Sequence, residues 1–157
     1  MTRFDPITLE ILWRRLISIV DEADSTVSRT AFSSLLRDAH DYTCMFTDRK
    51  GRELAQGSFA TPGQSGAMAL GIKKLVQKLP EDTYRPGDVF ITNDPWALAG
   101  HLNDVCVMSP IFYKQKLTAF TASNCLRAQN KHVVLSWPPD KTTIARFVDS
   151  ISIFLSC

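Results

Sequence analysis

Two short turn sequences separate pairs of strand-like segments, and this arrangement restricts the chain more than any other feature. The first turn, Asp48–Gly51, has glycine at the position where a positive φ is easiest to adopt. The second turn is Lys114–Lys116. Strand-like sequences flank both turns, at residues 42–47 and 52–56 and at residues 105–113 and 117–122. The pattern predicts two β-hairpins.

Helical patterns accompany the predicted hairpins. Asp5 is suited to cap a helix whose apolar residues recur at spacings of three and four over Pro6–Ser28. A small-residue loop is predicted over Gly57–Gly66 and a second amphipathic helix over Ala67–Leu79. The apolar run Val89–Thr92 predicts a buried strand. The predicted fold class is α+β, with a long N-terminal helix, β-hairpins and a second helix flanking a mixed or antiparallel sheet.

Length and composition indicate one globular domain. The chain has 157 residues, of which 45% are hydrophobic and 22% are charged. Its net charge of +2 does not indicate a protein that binds nucleic acid or a membrane surface. It has no apolar run of about 18 residues, so no transmembrane helix is predicted.

The cysteine pattern matches neither a zinc site nor a disulfide scaffold. The cysteines lie at positions 44, 106, 125 and 157, and none forms a C-x-x-C pair. Reduced thiols in a cytoplasmic protein are therefore predicted. Cys44 and Cys106 lie in apolar strand-like contexts, which favours inert core thiols over nucleophiles.

The segment after the predicted strand Val89–Thr92 carries the side chains best suited to chemistry. His101 and Asp104 can point to the same side of a turn and hold a divalent metal ion. Asp94 is a candidate third ligand that would bind the metal ion through oxygen, a candidate group that orients one of the other ligands, or a candidate catalytic residue. The alternative is a polar loop without a ligand, in which Asp94 before Pro95 is a turn residue.

A second polar cluster, Asp38–Asp41, precedes the first predicted hairpin. Asp41 is a candidate pocket-lining or catalytic residue, and the alternative is a surface loop at a helix end. The loop Thr61–Gly66 lacks the spacing and the Lys-Ser/Thr ending of a phosphate-binding loop. Neither this loop nor any other motif in the sequence indicates a nucleotide site.

Motifs spread over residues 5–123 resemble the N-terminal part of the hydantoinase B/oxoprolinase family. This family contains the B subunits of N-methylhydantoin and 5-oxoproline amidohydrolases and is related to acetone carboxylase subunits. The similar motifs are Asp5-Pro6, Leu9–Ile11, Arg29–Ser33, Asp41–Cys44, Gly51, Ala55–Gly57, Thr61–Gly63, Arg85–Val89, Asn93–Pro95 and Gly100–Asp104.

The resemblance implies a metal-dependent role in opening cyclic amides such as hydantoins or 5-oxoproline. It implies that His101 and Asp104 are ligands of a divalent metal ion, Mn²⁺ or Zn²⁺. It also implies that a hydantoinase A/oxoprolinase-type partner subunit uses ATP to activate the substrate.

The resemblance ends abruptly after residue 123. A further family histidine is expected near Leu126, where this chain reads Cys125-Leu126-Arg127, and all seven glycines lie at or before Gly100. Two parts are therefore predicted, a family-like part over residues 1–123 and a divergent, non-native tail over residues 124–157. A frameshift or an alternative ending explains such a tail, and a divergent short paralogue is the alternative.

Three functional hypotheses follow. The first is an incomplete, truncated fragment of an ATP-dependent cyclic-amide amidohydrolase B subunit, inactive by itself. The second is a non-catalytic module that docks on an A-type subunit. The third is a small metal-binding protein that uses His101, Asp104 and Asp94.

Overall fold

The described residues form one antiparallel sheet with helices on both faces. The structure, a computed structural model, describes residues 4–31, 33–98, 100–101, 103–126 and 145–148; at positions 35, 126 and 145–148 it describes the backbone alone. The helices are α1 (Pro6–Thr30), α2 (Ser34–Arg37) and α3 (Pro62–Lys78), with a 3-10 turn at Glu81–Thr83. The strands are β1 (Tyr42–Asp48), β2 (Glu53–Gln56), β3 (Asp88–Thr92), β4 (Asp104–Tyr113), β5 (Lys116–Leu126) and β6 (Ala145–Val148). The predicted α+β class is confirmed.

The sheet has the strand order β2-β1-β5-β4-β3-β6, and every neighbouring pair is antiparallel. Both predicted hairpins are present, as β1–β2 and β4–β5. In the second turn Lys114 and Gln115 have φ values of 47° and 65°, the left-handed conformation of the tightest hairpin turns. Gly51 completes the first turn with a φ of 71°.

Helix α1 begins and ends close to its predicted bounds. Asp5 caps it as expected, because its Oδ1 accepts hydrogen bonds from the backbone N–H groups of Ile7 (3.1 Å) and Thr8 (3.0 Å). The helix buries Val20 and Asp24 against the sheet, whereas the apolar side chains of its N-terminal half are exposed. The exposed residues are Ile7, Leu9, Ile11, Leu12 and Trp13.

Helix α3 begins five residues before its predicted start. Residues 62–66 were predicted to be loop because they are small and include two glycines, yet they are helical. Pro62 explains the difference, since its fixed φ suits the first helical position and it has no N–H to leave unpaired there. The helix buries Met68, Ile72 and Leu75 against the sheet.

Side-chain alternation divides the sheet into two faces with different partners. On the α3 side the middle of the sheet is apolar and forms one core cluster with the helix. The α1 side forms a second cluster around Val20, Leu36 and Tyr42. At one end of the α3 side the buried side chains become polar, and they include Thr43, Asp104 and Asn124.

Strand β5 continues to Leu126, beyond its predicted end at Ala122, and Asn124 and Cys125 are buried in it. Most of the predicted divergent tail, residues 127–144 and 149–157, lies outside the described residues, and the division at residue 123 stays a prediction. Strand β6 pairs with β3 through its backbone, with Val89 opposite Phe147. Among the described residues, no helix has both the length and the apolar character needed to cross a membrane.

Candidate functional site

His101 and Asp104 lie together at the start of β4. The Nε2 atom of His101 is 3.6 Å from Oδ1 of Asp104. The Asp104 side chain is fully buried, whereas that of His101 is half exposed. Gly100 precedes this pair with a φ of 86°, a conformation that side-chain-bearing residues rarely adopt. The convergence expected from their spacing is therefore present, and their role as metal ligands stays a prediction.

The second oxygen of Asp104 has a partner that the sequence reasoning missed. Asn124 on β5 donates a hydrogen bond from Nδ2 to Asp104 Oδ2 over 3.3 Å, and both side chains are buried. The signal lay in the register of the β4–β5 hairpin, in which Asn124 is opposite Cys106 and position 126 is opposite Asp104. Residues that pair directly across strands share one face of the sheet.

Asp104 Oδ1 is buried and accepts no hydrogen bond from the described residues. A buried carboxylate oxygen without a donor is unfavourable, typically by about 1–3 kcal/mol, and a positively charged neighbour removes this penalty. The unpaired oxygen beside an imidazole nitrogen therefore suits a divalent cation that accepts mixed nitrogen and oxygen ligands, such as Zn²⁺ or Mn²⁺. The described residues contain no group of three or more His, Cys, Asp or Glu side chains that could hold a metal ion. If His101 and Asp104 bind a metal ion, they are therefore two ligands of a set that the described residues do not complete.

Asp94 forms a turn at the end of β3. Its backbone N–H donates to Thr92 Oγ1 over 3.1 Å, and its own Oδ1 accepts from the Trp96 N–H over 3.0 Å. Its carbonyl oxygen accepts from the N–H groups of Ala97 and Leu98. These bonds agree with the turn-residue alternative, and a role of Asp94 in catalysis or metal binding stays a prediction.

Asp41 lies just before β1 and is half buried. It accepts a hydrogen bond at Oδ1 from Nε2 of Gln64, in the first turns of α3. The opposite oxygen of Gln64 is buried without a hydrogen-bond partner among the described residues, as is the hydroxyl of Thr43. The polar end of the α3 side therefore extends across three neighbouring strands from Asp41 to Asp104. A role of Asp41 in a pocket or in catalysis stays a prediction.

The described cysteines are buried and form no disulfide with one another, in agreement with the predicted inert thiols. Burial raises the pKa of the Cys44 thiol to about 11. Burial, with a smaller contribution from the nearby Asp104 carboxylate, raises the pKa of Cys106 to about 12. Both thiols therefore stay protonated at neutral pH, the form that does not act as a nucleophile. Cys157 lies outside the described residues.

The chain is similar to known proteins over most of its length. The caprolactamase subunit beta of Pseudomonas jessenii is 32% identical over 121 residues, which are 77% of this chain and 20% of that protein. The 5-oxoprolinase of Dictyostelium discoideum is 30% identical over 122 residues, which are 78% of this chain and 10% of that protein. The chain therefore spans about a tenth to a fifth of the length of the curated relatives that it matches.

Solved structures share the fold. The crystal structure of ATP-dependent caprolactamase from Pseudomonas jessenii superimposes with a TM-score of 0.62 and 28% identity, over 80% of this chain and 21% of that one. Nucleotide-free acetone carboxylase superimposes with a TM-score of 0.70 over 78% of this chain and 16% of that one. Its sequence identity is 22%, so this second likeness concerns the fold alone.

A family model described as hydantoinase B/oxoprolinase matches residues 5–146. This range includes the motifs in which the resemblance was first seen, and it contains both His101 and Asp104. It also extends past residue 123, where the resemblance in the sequence motifs ends. The chain belongs to the hydantoinase B/oxoprolinase family.

Proposed function

We propose that the chain is the N-terminal part of a B-type subunit of an ATP-dependent enzyme that opens cyclic amides such as hydantoins, lactams or 5-oxoproline. The observation that carries the proposal is the pair His101 and Asp104, whose facing atoms are 3.6 Å apart and include an unpaired buried carboxylate oxygen. The caprolactamase and 5-oxoprolinase relatives support the substrate class.

In this proposal His101 Nε2 and Asp104 Oδ1 bind a divalent metal ion, Mn²⁺ or Zn²⁺. A bound metal ion supplies Lewis-acid chemistry, which polarises a carbonyl or activates a water molecule. The burial of Asp104 restricts its side chain and keeps water away from it, whereas the exposure of His101 leaves the imidazole accessible from solvent. The protein's own contribution is therefore one buried carboxylate ligand and one solvent-accessible imidazole ligand.

Activation of the amide is assigned to an A-type partner subunit, which uses ATP. An amide carbonyl is a poor electrophile, and the sequence has no phosphate-binding loop with which this chain could bind a nucleotide itself. The name of the caprolactamase relative, subunit beta, supports a multi-subunit assembly. A cytoplasmic location agrees with ATP use and with the absence of disulfides among the described cysteines.

Metal binding provides the direct test. Replacing His101 by alanine, or Asp104 by asparagine, should weaken Mn²⁺ or Zn²⁺ binding at least about tenfold, because each change removes one of only two protein ligands. Isothermal titration calorimetry on the purified chain measures the affinity. His40→Asn is the matched control, since asparagine tolerates the φ of 52° found at that position.

The control variant should bind the metal as the unsubstituted chain does. Equal affinity in all four proteins would contradict the assignment of His101 and Asp104. A requirement for His40 would point to a different site.

The chain by itself should show no ATP-dependent ring opening, even with Mn²⁺ or Zn²⁺ present. It supplies two metal ligands and no nucleotide motif, so the activated substrate has to come from the partner subunit. The assay incubates the chain with ATP, metal ion and a panel of hydantoins and lactams, and follows ADP and ring-opened product. Product above the level of the His101→Ala variant, without an added subunit, would show instead that the chain is a small enzyme in its own right.

A further inference from the structure

Asn124 contacts the candidate metal ligand Asp104 from the neighbouring strand. Its Nδ2 lies 3.3 Å from Asp104 Oδ2, and its side chain is 1% exposed. An ionised carboxylate only accepts hydrogen bonds, so the amide of Asn124 must turn its NH₂ group toward Asp104. The chemistry of the contact therefore fixes the orientation of this side chain.

The sheet holds Asn124 from both sides. Its backbone position pairs with Thr43 on β1 and with Cys106 on β4, so β5 is an interior strand at this point. Asp104, by contrast, is the first residue of β4 and follows directly on a loop. The firmly held residue of the pair is therefore Asn124, and the ligand that needs support is Asp104.

The two oxygens of Asp104 have different neighbours. Oδ2 receives the Asn124 hydrogen bond, whereas Oδ1 faces His101 Nε2 at 3.6 Å. A half-turn of the carboxylate would only exchange two equivalent oxygens, whereas any smaller rotation would break both contacts. The hydrogen bond from Asn124 consequently holds the carboxylate plane in which one oxygen faces His101.

We propose that Asn124 is a positioning residue that holds Asp104 in its metal-binding orientation. This inference rests on the proposed role of His101 and Asp104 as metal ligands. Hydrogen bonds to metal ligands orient the ligands and raise metal affinity, and their loss typically weakens binding by about 10–100-fold. Asn124 itself binds no metal in this proposal.

The test replaces Asn124 by leucine, which has similar volume and no hydrogen-bond donor. Mn²⁺ or Zn²⁺ affinity, measured by calorimetry, should fall by about 10–100-fold. Thr43→Val is the matched control: Thr43 is the buried partner of Asn124 on β1, and its hydroxyl makes no hydrogen bond to a described residue. The control should bind metal within about twofold of the unsubstituted chain, because the hydroxyl that it removes makes no hydrogen bond to Asn124 or Asp104.

A second variant keeps the test possible if Asn124→Leu does not fold. Asn124→Ser is small and polar, and its hydroxyl is too short to reach Asp104 as the amide does; thermal unfolding without metal shows whether each variant is folded. The same loss of affinity, about 10–100-fold, is expected for Asn124→Ser. A folded Asn124 variant that binds metal as tightly as the unsubstituted chain would overturn the inference.

A metal-free measurement separates this inference from the proposed function. The imidazole resonances of His101 in NMR spectra should shift in Asn124→Leu and stay unchanged in Thr43→Val, because only the first change releases the carboxylate that faces the imidazole. Absence of metal binding by the unsubstituted chain would reject the proposed function, and the NMR comparison would still decide whether Asn124 orients Asp104. Unchanged His101 resonances in Asn124→Leu would reject the positioning role.

Discussion

Replacing Gly71 by alanine should lower the free energy of unfolding by about 2–3 kcal/mol, because the added methyl group would clash with the tightly packed segment that follows β3. A Cβ atom at this position would lie 2.2 Å from the carbonyl oxygen of Ala97 and 3.0 Å from a methyl carbon of Leu98. The nearer atom belongs to the backbone, which cannot rotate away as a long side chain can. Helix α3 or the segment after β3 must therefore move.

The displaced segment leads directly to the candidate site. Ala97 and Leu98 lie in the turn that Asp94 organises, and His101 follows three residues later. Gly71→Ala should accordingly weaken metal binding as well as stability, although Gly71 itself touches neither proposed ligand.

Urea denaturation followed by circular dichroism measures the stability effect, and Gly66→Ala is its matched control. Gly66 is on the same helix, and an added Cβ would meet no atom within 4 Å. Because alanine favours helix over glycine, this control should stabilise the protein by about 0.5–1 kcal/mol. Equal stability of the two alanine variants would show that α3 does not pack closely on the turn.

Introducing a histidine at position 126 should raise Mn²⁺ or Zn²⁺ affinity at least about tenfold, since three protein ligands are the usual number in a catalytic zinc site. The backbone of position 126 pairs directly with Asp104 across the β4–β5 ladder. Directly paired positions share one face of a sheet, so position 126 lies on the same face as Asp104, on the neighbouring strand. This is also the position near which the family pattern places a histidine.

Calorimetry on Leu126→His measures the gain, with Thr118→His as the control. Thr118 is exposed on the same strand, eight residues away from position 126. Its variant adds the same imidazole without bringing it near Asp104, so the affinity should stay unchanged. A similar gain in both variants would mean that the added histidine binds metal non-specifically.

Local sequence signals predicted most of the fold. The Asp5 cap, the apolar spacing of α1 and the two turn sequences act over a few residues, and the structure has each element that they predicted. Gly63 and Gly66 weaken the helical pattern before residue 67, so this pattern does not predict the early start of α3, which Pro62 favours as the first helical residue.

The candidate site was predictable only where its residues are close in sequence. His101 and Asp104 are three residues apart, so their spacing alone indicated convergence. Asn124 is twenty residues beyond Asp104 in the sequence. Their contact depends on the register of a long hairpin, whose two strands have 10 and 11 residues. A shift of one residue in that register would turn Asn124 to the other face of the sheet, and composition carries no information about this choice.

Because α1 is buried unevenly, the two halves of this continuous helix differ in the free energy needed to open them. From Leu16 onward the helix packs against the core on that face of the sheet, so those turns open only when the core opens. The turns around Ile7 and Ile11 gain little from burial, and isolated helical segments of that length are marginally stable in water. Their hydrogen bonds are therefore expected to open in local fluctuations well below the energy of global unfolding. Within those first turns the Asp5 cap, rather than the core, provides the main resistance to fraying.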